Sequence, residues 1–230
     1  MISSFNVNSQ THTIRKEVLA DYRTVCLSRQ ISALGRKEVL TGKAEFGIFG
    51  EGKELAQLAM AKNFQKGDWR SGYYRDQTFM LETGLHTPVE AFDMLYGQTD
   101  IKRNPHSGGR SMNNHFATRT LNPDGSWKSL VDQKNSSADV SCTAGQMPRL
   151  LGLAYASKLF RHNNDLKAYP QLSLSGNEVA FGTIGDASTA EGHFWETINA
   201  AGVLQVPLAL AVWDDGYGVS VPTKLQLTKG

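Results

Sequence analysis

The segment EVAFGTIGDASTAEGHFWETINAAGVLQVPLALAVWDDGYG, residues 178–218, decides the fold. It opens with an apolar run at 178–184, continues with helical periodicity at 189–204, and ends with a second apolar run at 207–213. Runs that are apolar on both faces are typical of buried parallel strands. The segment therefore predicts a strand–helix–strand unit with a right-handed crossover. We expect an α/β fold with a mainly parallel sheet and helices on both faces.

Acidic residues follow both predicted strands. Asp186 comes directly after the first strand, and Asp214 and Asp215 come after the second. Because the carboxyl ends of neighbouring parallel strands meet at one edge of a sheet, we expect these turns to lie together. Carboxylates and carbonyls suit a hard cation such as Mg²⁺, and a helix N-terminus attracts phosphate. The alternative is structural: Asp186 and Ser188 cap the helix, and the acidic pair forms a turn.

Composition excludes several classes of protein. With 40% hydrophobic and 20% charged residues, the 230-residue chain has ordinary globular usage and can bury one large core. Its formal net charge of +2 and the lack of a dense basic run indicate no nucleic-acid partner. No apolar run is long enough to predict a membrane span. Cys26 and Cys142 form no paired motif, which favours a reducing, cytoplasmic compartment.

Hydrophobic periodicity predicts four further helices. They cover about residues 14–38, 52–64, 88–96 and 147–160. Thr87 is expected to cap the third, with Pro88 at its first position and Gly97 as its stop. The segment 98–140 is rich in Gly, Asn, Ser and Asp, and a loop of this length in a compact domain is usually functional or disordered. Its Arg, His, Met and Asn residues favour a functional site.

The ends of the chain suggest its domain organisation. The polar start lacks the apolar core of a signal peptide, and we expect residues 1–13 to form a flexible N-terminal arm. Residues 14–230 are predicted to form one domain. This domain stops directly after a strand–turn unit, where an α/β sheet would normally continue, so we expect it to be truncated at its C-terminus.

From about residue 15 onward, five stretches resemble, in chain order, one family of thiamine diphosphate enzymes. The segment GDASTAEGHFWETINAAGVLQVPLALAVWDDGYGVSVP resembles the thiamine diphosphate motif of the alpha subunit of the 2-oxo acid dehydrogenase first component, of the pyruvate and branched-chain type. Glu196 and Asn199 match the Glu and Asn of that motif's linker. The other four stretches are FGIFGEGKELAQLA, YYRDQ, GGRSMNNHF and SCTAGQMPRLLGLAYASK. The resemblance implies the thiamine diphosphate-binding fold.

The resemblance also implies a set of cofactor ligands. The side chains of Asp186 and Asp215 and the carbonyl of Tyr217 would bind the Mg²⁺ that bridges the diphosphate. Arg75 would donate to the same phosphates, and Tyr74 would add its hydroxyl. The remaining implied contacts are Ser141, facing the aminopyrimidine, and Gly185, Ala187 and Ser188, around the metal. Some relatives hold a potassium ion near the equivalents of Ser141, Thr143 and Gln146.

His115 is the predicted catalytic residue, because its ordinary pKa suits proton handling or binding of a substrate carboxylate. Three positions depart from the family pattern. Ala187 replaces the second glycine of the motif, and Asp214 and Asp215 replace two asparagines. The additional carboxylate repels diphosphate, so Mg²⁺ should matter more. In the family, a bulky aliphatic residue holds the cofactor in its bent form. Thr143 aligns with that residue, so the sequence does not identify the residue that bends the cofactor here.

The implied function is oxidative decarboxylation of a 2-oxo acid with acyl transfer to lipoamide. In the family, the glutamate that activates the cofactor comes from a beta subunit or from the beta half of a fused chain. We therefore expect this chain to be inactive alone and to work in a homo- or hetero-oligomer. Its other expected partners are a lipoyl-bearing acyltransferase and a small 2-oxo acid, with no nucleic acid and no membrane.

Three other functions stay open. The chain could belong to another thiamine diphosphate family, such as a transketolase-like or sulfopyruvate-type enzyme, which would need no lipoyl acceptor. It could be a non-catalytic scaffold that keeps the fold without the cofactor, for which the Ala187 and Asp214–Asp215 changes are the support. It could also be a metal-dependent phosphatase that uses Asp186 and Asp215, although no further ligand cluster is visible.

Overall fold

The predicted strand–helix–strand unit forms one side of the sheet in the computed structural model, which describes residues 7–228 and, for 7–13, the backbone alone. Strand β3 (Ala180–Gly185) is fully buried, and β4 (Leu208–Trp213) pairs with it in parallel along its whole length. Helix α6 (Gly192–Leu204) connects the two strands. A single 3₁₀ turn over Ala187–Ala190 separates β3 from α6. The helix therefore begins later than the predicted Thr189.

Two short strands complete a four-stranded parallel sheet of order β2–β1–β3–β4. They are β1 (Trp69–Ser71) and β2 (Asn135–Ser136). Their polar sequences gave no strand signal, and β2 lies inside the predicted loop 98–140. A separate antiparallel hairpin, β5 (Tyr217–Gly218) with β6 (Val221–Pro222), follows β4. The mainly parallel sheet is confirmed.

The predicted helices are confirmed, with shifted ends. In chain order they are α1 (Val7–Leu40), α2 (Glu54–Ala61), the unpredicted α3 (Gln77–Glu82), α4 (Pro88–Leu95) and α5 (Gln146–His162). Helix α1 begins at Val7, inside the predicted N-terminal arm 1–13; the flexibility of this arm stays a prediction, and residues 1–6 lie outside the described residues. Thr87 caps α4 as predicted, its hydroxyl accepting a hydrogen bond from the amide of Glu90. Among the described residues, no helix is both long and apolar enough to cross a membrane.

Helices cover both faces of the sheet. Helix α5 packs on one face, where its Met147 and Leu150 join Ile184 of β3 in a buried apolar cluster. A side chain at Gly182 would collide with Leu150, so this glycine allows the close approach of α5. The opposite face carries a second cluster, in which Phe64, just after α2, contacts both Phe181 of β3 and Phe79 of α3. Its buried members are Ala61, Phe64, Phe79, Met80, Phe116 and Phe181.

A fully buried arginine lies beneath the carboxyl end of the sheet. All five N–H groups of Arg70 are used: Nε donates to Asp76 (2.7 Å), and the terminal nitrogens donate to both oxygens of Asp139 (3.0 Å each), to Ser136 and to the carbonyl of Tyr73. Asp76 and Asp139 are as inaccessible as Arg70. Burial raises the pKa of Asp139 to about 6 in spite of the neighbouring Arg70. We call Arg70, Asp76 and Asp139 the ion cluster.

The ion cluster also reaches β3 and β4. Asp76 accepts hydrogen bonds from Thr183 Oγ1 at 2.6 Å and from Trp213 Nε1 at 2.9 Å. A side chain at Gly72 would collide with Asp76 and Thr183, so only glycine leaves room for this arrangement. The ion cluster thus joins the segments that follow β1 and β2 to strands β3 and β4.

Replacing the cation of the ion cluster should strongly destabilise the chain. Arg70→Met leaves two buried carboxylates without a countercharge, which typically costs about 3–5 kcal/mol of unfolding free energy. We expect this loss in urea unfolding at pH 7.5, and a smaller loss at pH 5, where a carboxyl group of raised pKa is protonated in the folded state.

The matched control is Lys62→Met, which removes the partly exposed Lys62–Asp21 pair. Pairs of this kind contribute at most about 1 kcal/mol. A loss for Arg70→Met no larger than that of the control would contradict the central role of the ion cluster.

Candidate functional site

A cavity of about 290 Å³ lies at the carboxyl end of β3. It is lined by the turn after β3, the segment after β1, the end of the 98–140 loop and hairpin β5–β6. Nine of the ten predicted site residues line it, namely Tyr74, Arg75, His115, Ser141, Gly185, Asp186, Ala187, Ser188 and Tyr217. The tenth, Asp215, contacts Arg75 at its rim. Ligands in parallel α/β folds bind at this end of the strands.

Asp186 is held by donors from the turn after β4. Its Oδ2 accepts a hydrogen bond from Thr223 Oγ1 at 2.6 Å and another from the amide of Gly216 at 3.0 Å. Burial opposes ionisation of Asp186, but hydrogen bonds from Thr223, the amides of Ala187 and Gly216 and the neighbouring Asp214 outweigh it and lower the pKa of its carboxyl group. The negatively charged form of Asp186 is therefore favoured. Sequence reasoning missed Thr223, which lies beyond the resembling motif.

The two acids after β4 have different contacts. Asp214 has its carboxyl group beside Asp186 and accepts a hydrogen bond from the amide of Gly216 at 2.9 Å. Asp215 instead forms an ion pair with Arg75, with an N–O distance of 3.0 Å. The expectation that both strand-end turns meet is confirmed, because Gly185 pairs in register with Trp213, which directly precedes Asp214.

Two buried donors in the site have no hydrogen-bond partner among the described residues. They are the hydroxyl of Tyr73 and Nε of Arg75. Burial raises the pKa of Tyr73, so the hydroxyl stays protonated and available as a donor. Such groups are costly to bury without an acceptor. Tyr73 was not among the predicted residues, although it directly precedes Tyr74 in the YYRDQ stretch.

His115 and Ser141 are brought together across the cavity. His115 Nε2 lies 2.9 Å from Ser141 Oγ, and its Nδ1 lies 3.2 Å from the carbonyl oxygen of Asn113. In the neutral ring with its proton on Nδ1, Nδ1–H donates a hydrogen bond to the carbonyl oxygen of Asn113. Nε2 then accepts a hydrogen bond from the hydroxyl of Ser141. His115 is 5% exposed, so its ring is fixed in this position. The arrangement can hold a proton at Nε2 next to the cavity.

Hydrogen bonds to the backbone fix the two segments that carry Arg75 and His115. The side chain of Gln57 on α2 donates to the carbonyl of Arg75 at 2.6 Å. Asn113 accepts from the amide of Ile48 at 2.9 Å and donates to its carbonyl at 2.7 Å, as a neighbouring strand would. These buried amides position the site, and their role was not visible in the sequence.

Comparison with known sequences agrees with this geometry. A sequence model of the dehydrogenase E1 component family matches residues 22–228, which is most of the chain. The chain belongs to the dehydrogenase E1 component family. The matched region includes every residue of the cavity and the whole parallel sheet.

Individual relatives from this family are similar at low identity. The chain is 28% identical to the 2-oxoisovalerate dehydrogenase subunit alpha of Bacillus subtilis, over 92% of this chain and 55% of that protein. It is 24% identical to the pyruvate dehydrogenase E1 component subunit alpha of Acholeplasma laidlawii, over 91% of this chain and 49% of that protein. It is 25% identical to the mitochondrial 2-oxoisovalerate dehydrogenase subunit alpha 2 of Arabidopsis thaliana, over 80% of this chain and 32% of that protein. The chain spans about half the length or less of these relatives.

The remaining residues of the family motifs lie in different places. Thr143 and Gln146 line the cavity, and Gln146 donates its side-chain amide to the carbonyl of Thr183 at 2.9 Å. Glu196 and Asn199 are exposed on α6 and do not line the cavity. The larger aliphatic side chains of the lining are Ile48, Met112, Val140 and Val219.

A second cavity of about 270 Å³ lies at the opposite, amino end of the strands, where Trp69 and Ala180 line it. Its lining is mostly apolar, and its one acidic residue, Glu178, accepts hydrogen bonds from Ser157 and Ser173. Because this carboxylate is already satisfied by its donors, and because the predicted site residues line the other cavity, the cavity at the carboxyl end of β3 is the candidate site.

The hydrogen bond from Thr223 to Asp186 should contribute measurably to stability. Thr223→Val keeps the shape of the side chain and removes the donor, and hydrogen bonds to charged groups contribute about 1.5–3 kcal/mol. We expect a loss of this size in urea unfolding at pH 7. The loss should shrink as the pH falls below about 4, because stability that comes from a lowered carboxyl pKa disappears when the group is protonated in the folded state.

Thr223→Ser is the matched control, since it retains the hydroxyl and should keep most of the stability. If the valine variant were as stable as the wild type at pH 7, this hydrogen bond would not hold Asp186 in place.

Proposed function

We propose that this chain is the alpha component of a thiamine diphosphate-dependent 2-oxo acid dehydrogenase and that its cavity binds the diphosphate end of the cofactor. The observation that carries the proposal is the pair of buried donors without partners, Tyr73 Oη and Arg75 Nε, in the same cavity as the carboxylate of Asp186. A bound diphosphate offers acceptor oxygens to these donors. Membership of the dehydrogenase E1 component family supports the same ligand.

The acids at the strand ends would hold a Mg²⁺ ion. Magnesium binds through one or two carboxylates together with phosphate oxygens and water, and Asp186 with Asp215 supplies such a set, completed by the carbonyl of Tyr217. Asp215 pairs with Arg75 at 3.0 Å. When a diphosphate and its metal bind, the ion pair between Arg75 and Asp215 would break. Arg75 would then donate to the phosphates, and Asp215 would bind the cation. Gly185, Ala187 and Ser188 line the cavity beside them.

The other predicted contacts concern the reactive end of the cofactor. Ser141 would contact the aminopyrimidine ring of the cofactor. A potassium ion would bind near Ser141, Thr143 and Gln146. Of the aliphatic residues in the described lining, Ile48, Met112 and Val140 are the candidates for bending the cofactor in place of Thr143. Tyr74 lies against Tyr73, with ring centroids 5.0 Å apart, and adds a hydroxyl near the phosphate end.

Bound thiamine diphosphate supplies the chemistry that removes CO₂ from a 2-oxo acid. The contribution of this chain is to bind and orient the cofactor and to handle a proton at the substrate end. His115 suits the second role, because Nε2 and the Ser141 hydroxyl can exchange a proton within their hydrogen bond. A protonated imidazole in this position would also donate a hydrogen bond to the carboxylate of the substrate.

Partners follow from the proposed function. The glutamate that activates the cofactor would come from a beta subunit or a beta half, and the acyl group would pass to a lipoyl-bearing acyltransferase. Apolar side chains that a partner could cover are exposed on α1 and α6, among them Val18, Tyr22, Trp195 and Val203. Such exposed side chains mark an interaction surface when they are contiguous. The cytoplasmic compartment stays a prediction.

Other functions make different demands. A transketolase-like enzyme would not depend on a lipoyl acceptor, and a scaffold would not bind the cofactor. A metal-dependent phosphatase would need a richer ligand cluster at Asp186. Among the described residues, the one group of three potential metal ligands lies elsewhere, at His86, Glu90 and His106. The two unpartnered donors favour the cofactor-binding function.

Cofactor binding can be measured by calorimetric titration of thiamine diphosphate into the assembly of this chain with its beta partner. We expect binding that requires Mg²⁺ in the wild type. Asp186→Asn should weaken it more than about 100-fold, since the metal loses a charged ligand. Arg75→Met should weaken it about 10–100-fold, the equivalent of one or two charge-assisted hydrogen bonds.

Arg119→Met serves as the control, because Arg119 is exposed and does not line the cavity. It should bind the cofactor as the wild type does. Absence of metal-dependent binding in the wild-type assembly would refute the proposed function, and Asp186 would then act only as an acceptor for Thr223 and Gly216.

Catalysis should require the partner. The purified chain alone should show no steady decarboxylation of pyruvate or of a branched-chain 2-oxo acid, because the described residues around the cavity supply no glutamate to activate the cofactor. Addition of the beta partner should restore decarboxylation, and acyl transfer should depend on a lipoyl domain. Steady turnover by the chain alone would contradict this division of roles.

A further inference from the structure

Two histidines meet in a buried position outside the cofactor cavity. His86 precedes α4 and is 3% exposed, while His106 lies in the 98–140 loop and is 9% exposed. His86 Nδ1 and His106 Nε2 are 3.1 Å apart. Glu90, in the first turn of α4, places Oε2 3.8 Å from His86 Nδ1. The proposed cofactor chemistry uses none of these three residues.

The shorter of two backbone contacts indicates which nitrogen of His106 is free. Its Nδ1 lies 3.0 Å from the carbonyl oxygen and 3.3 Å from the amide nitrogen of Ala117, and the shorter contact suits a donated Nδ1–H. Its Nε2 then presents a lone pair toward His86. An imidazole oriented by a hydrogen bond from its other nitrogen to a backbone carbonyl is the usual arrangement of a metal-binding histidine. Burial lowers the pKa of both rings, so both are neutral, the form that binds metals.

The third group is charged and has room to adjust. The side chain of Glu90 is 23% exposed. Its Oε2 accepts the hydrogen bonds from the amide and hydroxyl of Thr87, while Oε1 receives none from the described residues. The three donor atoms all lie within 4.8 Å of one another. In a tetrahedral zinc site with ligand distances of about 2.1 Å, donor atoms are about 3.4 Å apart, so only a small shift of Glu90 is required.

We propose that His86, Glu90 and His106 bind a Zn²⁺ ion, with water as the fourth ligand, and that this ion fastens the 98–140 loop to the start of α4. Two imidazoles and a carboxylate suit zinc better than magnesium or calcium, which prefer oxygen ligands alone. When the metal binds, the Nδ1 proton of His86 moves to Nε2, which has no hydrogen-bond partner among the described residues. The bond between the two rings is replaced by two metal–nitrogen bonds.

The position of the ion gives it a structural role. The loop it fastens continues through Arg110 and Met112 to His115, and His106 contacts the backbone of Ala117 just beyond. The pair Arg103–Asp93, at 2.5 Å, holds the same loop to α4 at a second point. Zinc at His86, Glu90 and His106 would therefore limit the motion of the segment that carries His115 without touching the cofactor cavity.

The test is titration of Zn²⁺ into the chelator-treated chain, followed by calorimetry, with Co²⁺ as a coloured substitute. We expect one ion per chain with a dissociation constant below about 1 µM and a four-coordinate Co²⁺ spectrum. His106→Gln should weaken zinc binding more than about 100-fold. Loss of a residue that only hydrogen-bonds to a metal ligand already costs about 10–100-fold in affinity, and loss of the ligand itself should cost more. Zinc should also slow proteolytic cleavage within the 98–140 loop of the wild type.

Glu90→Gln separates metal binding from helix stability. Glutamine can also form the capping box with Thr87, so α4 should stay intact while the charged ligand is lost. It should weaken zinc binding at least about 10-fold. His162→Gln, at an exposed position on α5, and Asp186→Asn, in the cofactor cavity, should bind zinc as the wild type does. Binding weaker than about 100 µM, or equal binding by the wild type, Glu90→Gln and His106→Gln, would overturn the proposal. Neither result depends on whether the chain binds thiamine diphosphate.

Discussion

A buried positive charge requires its partners to be in place, and this requirement organises the carboxyl end of the sheet. The guanidinium of Arg70 uses all five donors, and two carboxylates from different segments neutralise it. One of them, Asp76, directly follows Arg75, and the other, Asp139, lies two residues before Ser141. Both site segments are therefore positioned by the same cation. Without it the burial of two carboxylates would be unfavourable, and the cavity would lose its shape.

Local patterns in the sequence carried most of the fold. The apolar runs of β3 and β4, the periodicity of α5 and α6 and the capping box at Thr87 are each encoded within a few neighbouring residues. The same holds for the site residues, which follow strand ends or lie in short recognisable stretches. Nine of the ten line one cavity because a parallel sheet brings the ends of its strands to one edge.

The features that were missed depend on contacts between distant residues. Strand β1 has a polar sequence, and its Arg70 is buried only because Asp139, 69 residues later, lies beside it. Thr223 holds Asp186 from 37 residues away, and Asp215 forms an ion pair with Arg75, 140 residues earlier in the chain. A single sequence contains no local signal for such pairs. The start of α1 was missed for another reason: polar residues continue the helix to Val7, where an amphipathic pattern is not needed to extend an existing helix.

The order of the strands has a consequence for folding. Strands β3 and β4 are joined by one helix and can pair early. Strand β1 pairs with β3 only after the intervening chain is arranged, because the paired residues Trp69 and Ala180 are more than 100 residues apart in sequence. Non-local pairings of this kind form slowly. The acidic half of the cavity, from β3 and β4, can thus exist before the basic half that follows β1. A ligand that contacts both halves would act as a template for the last step of folding, and amide hydrogen exchange in β1 would report it.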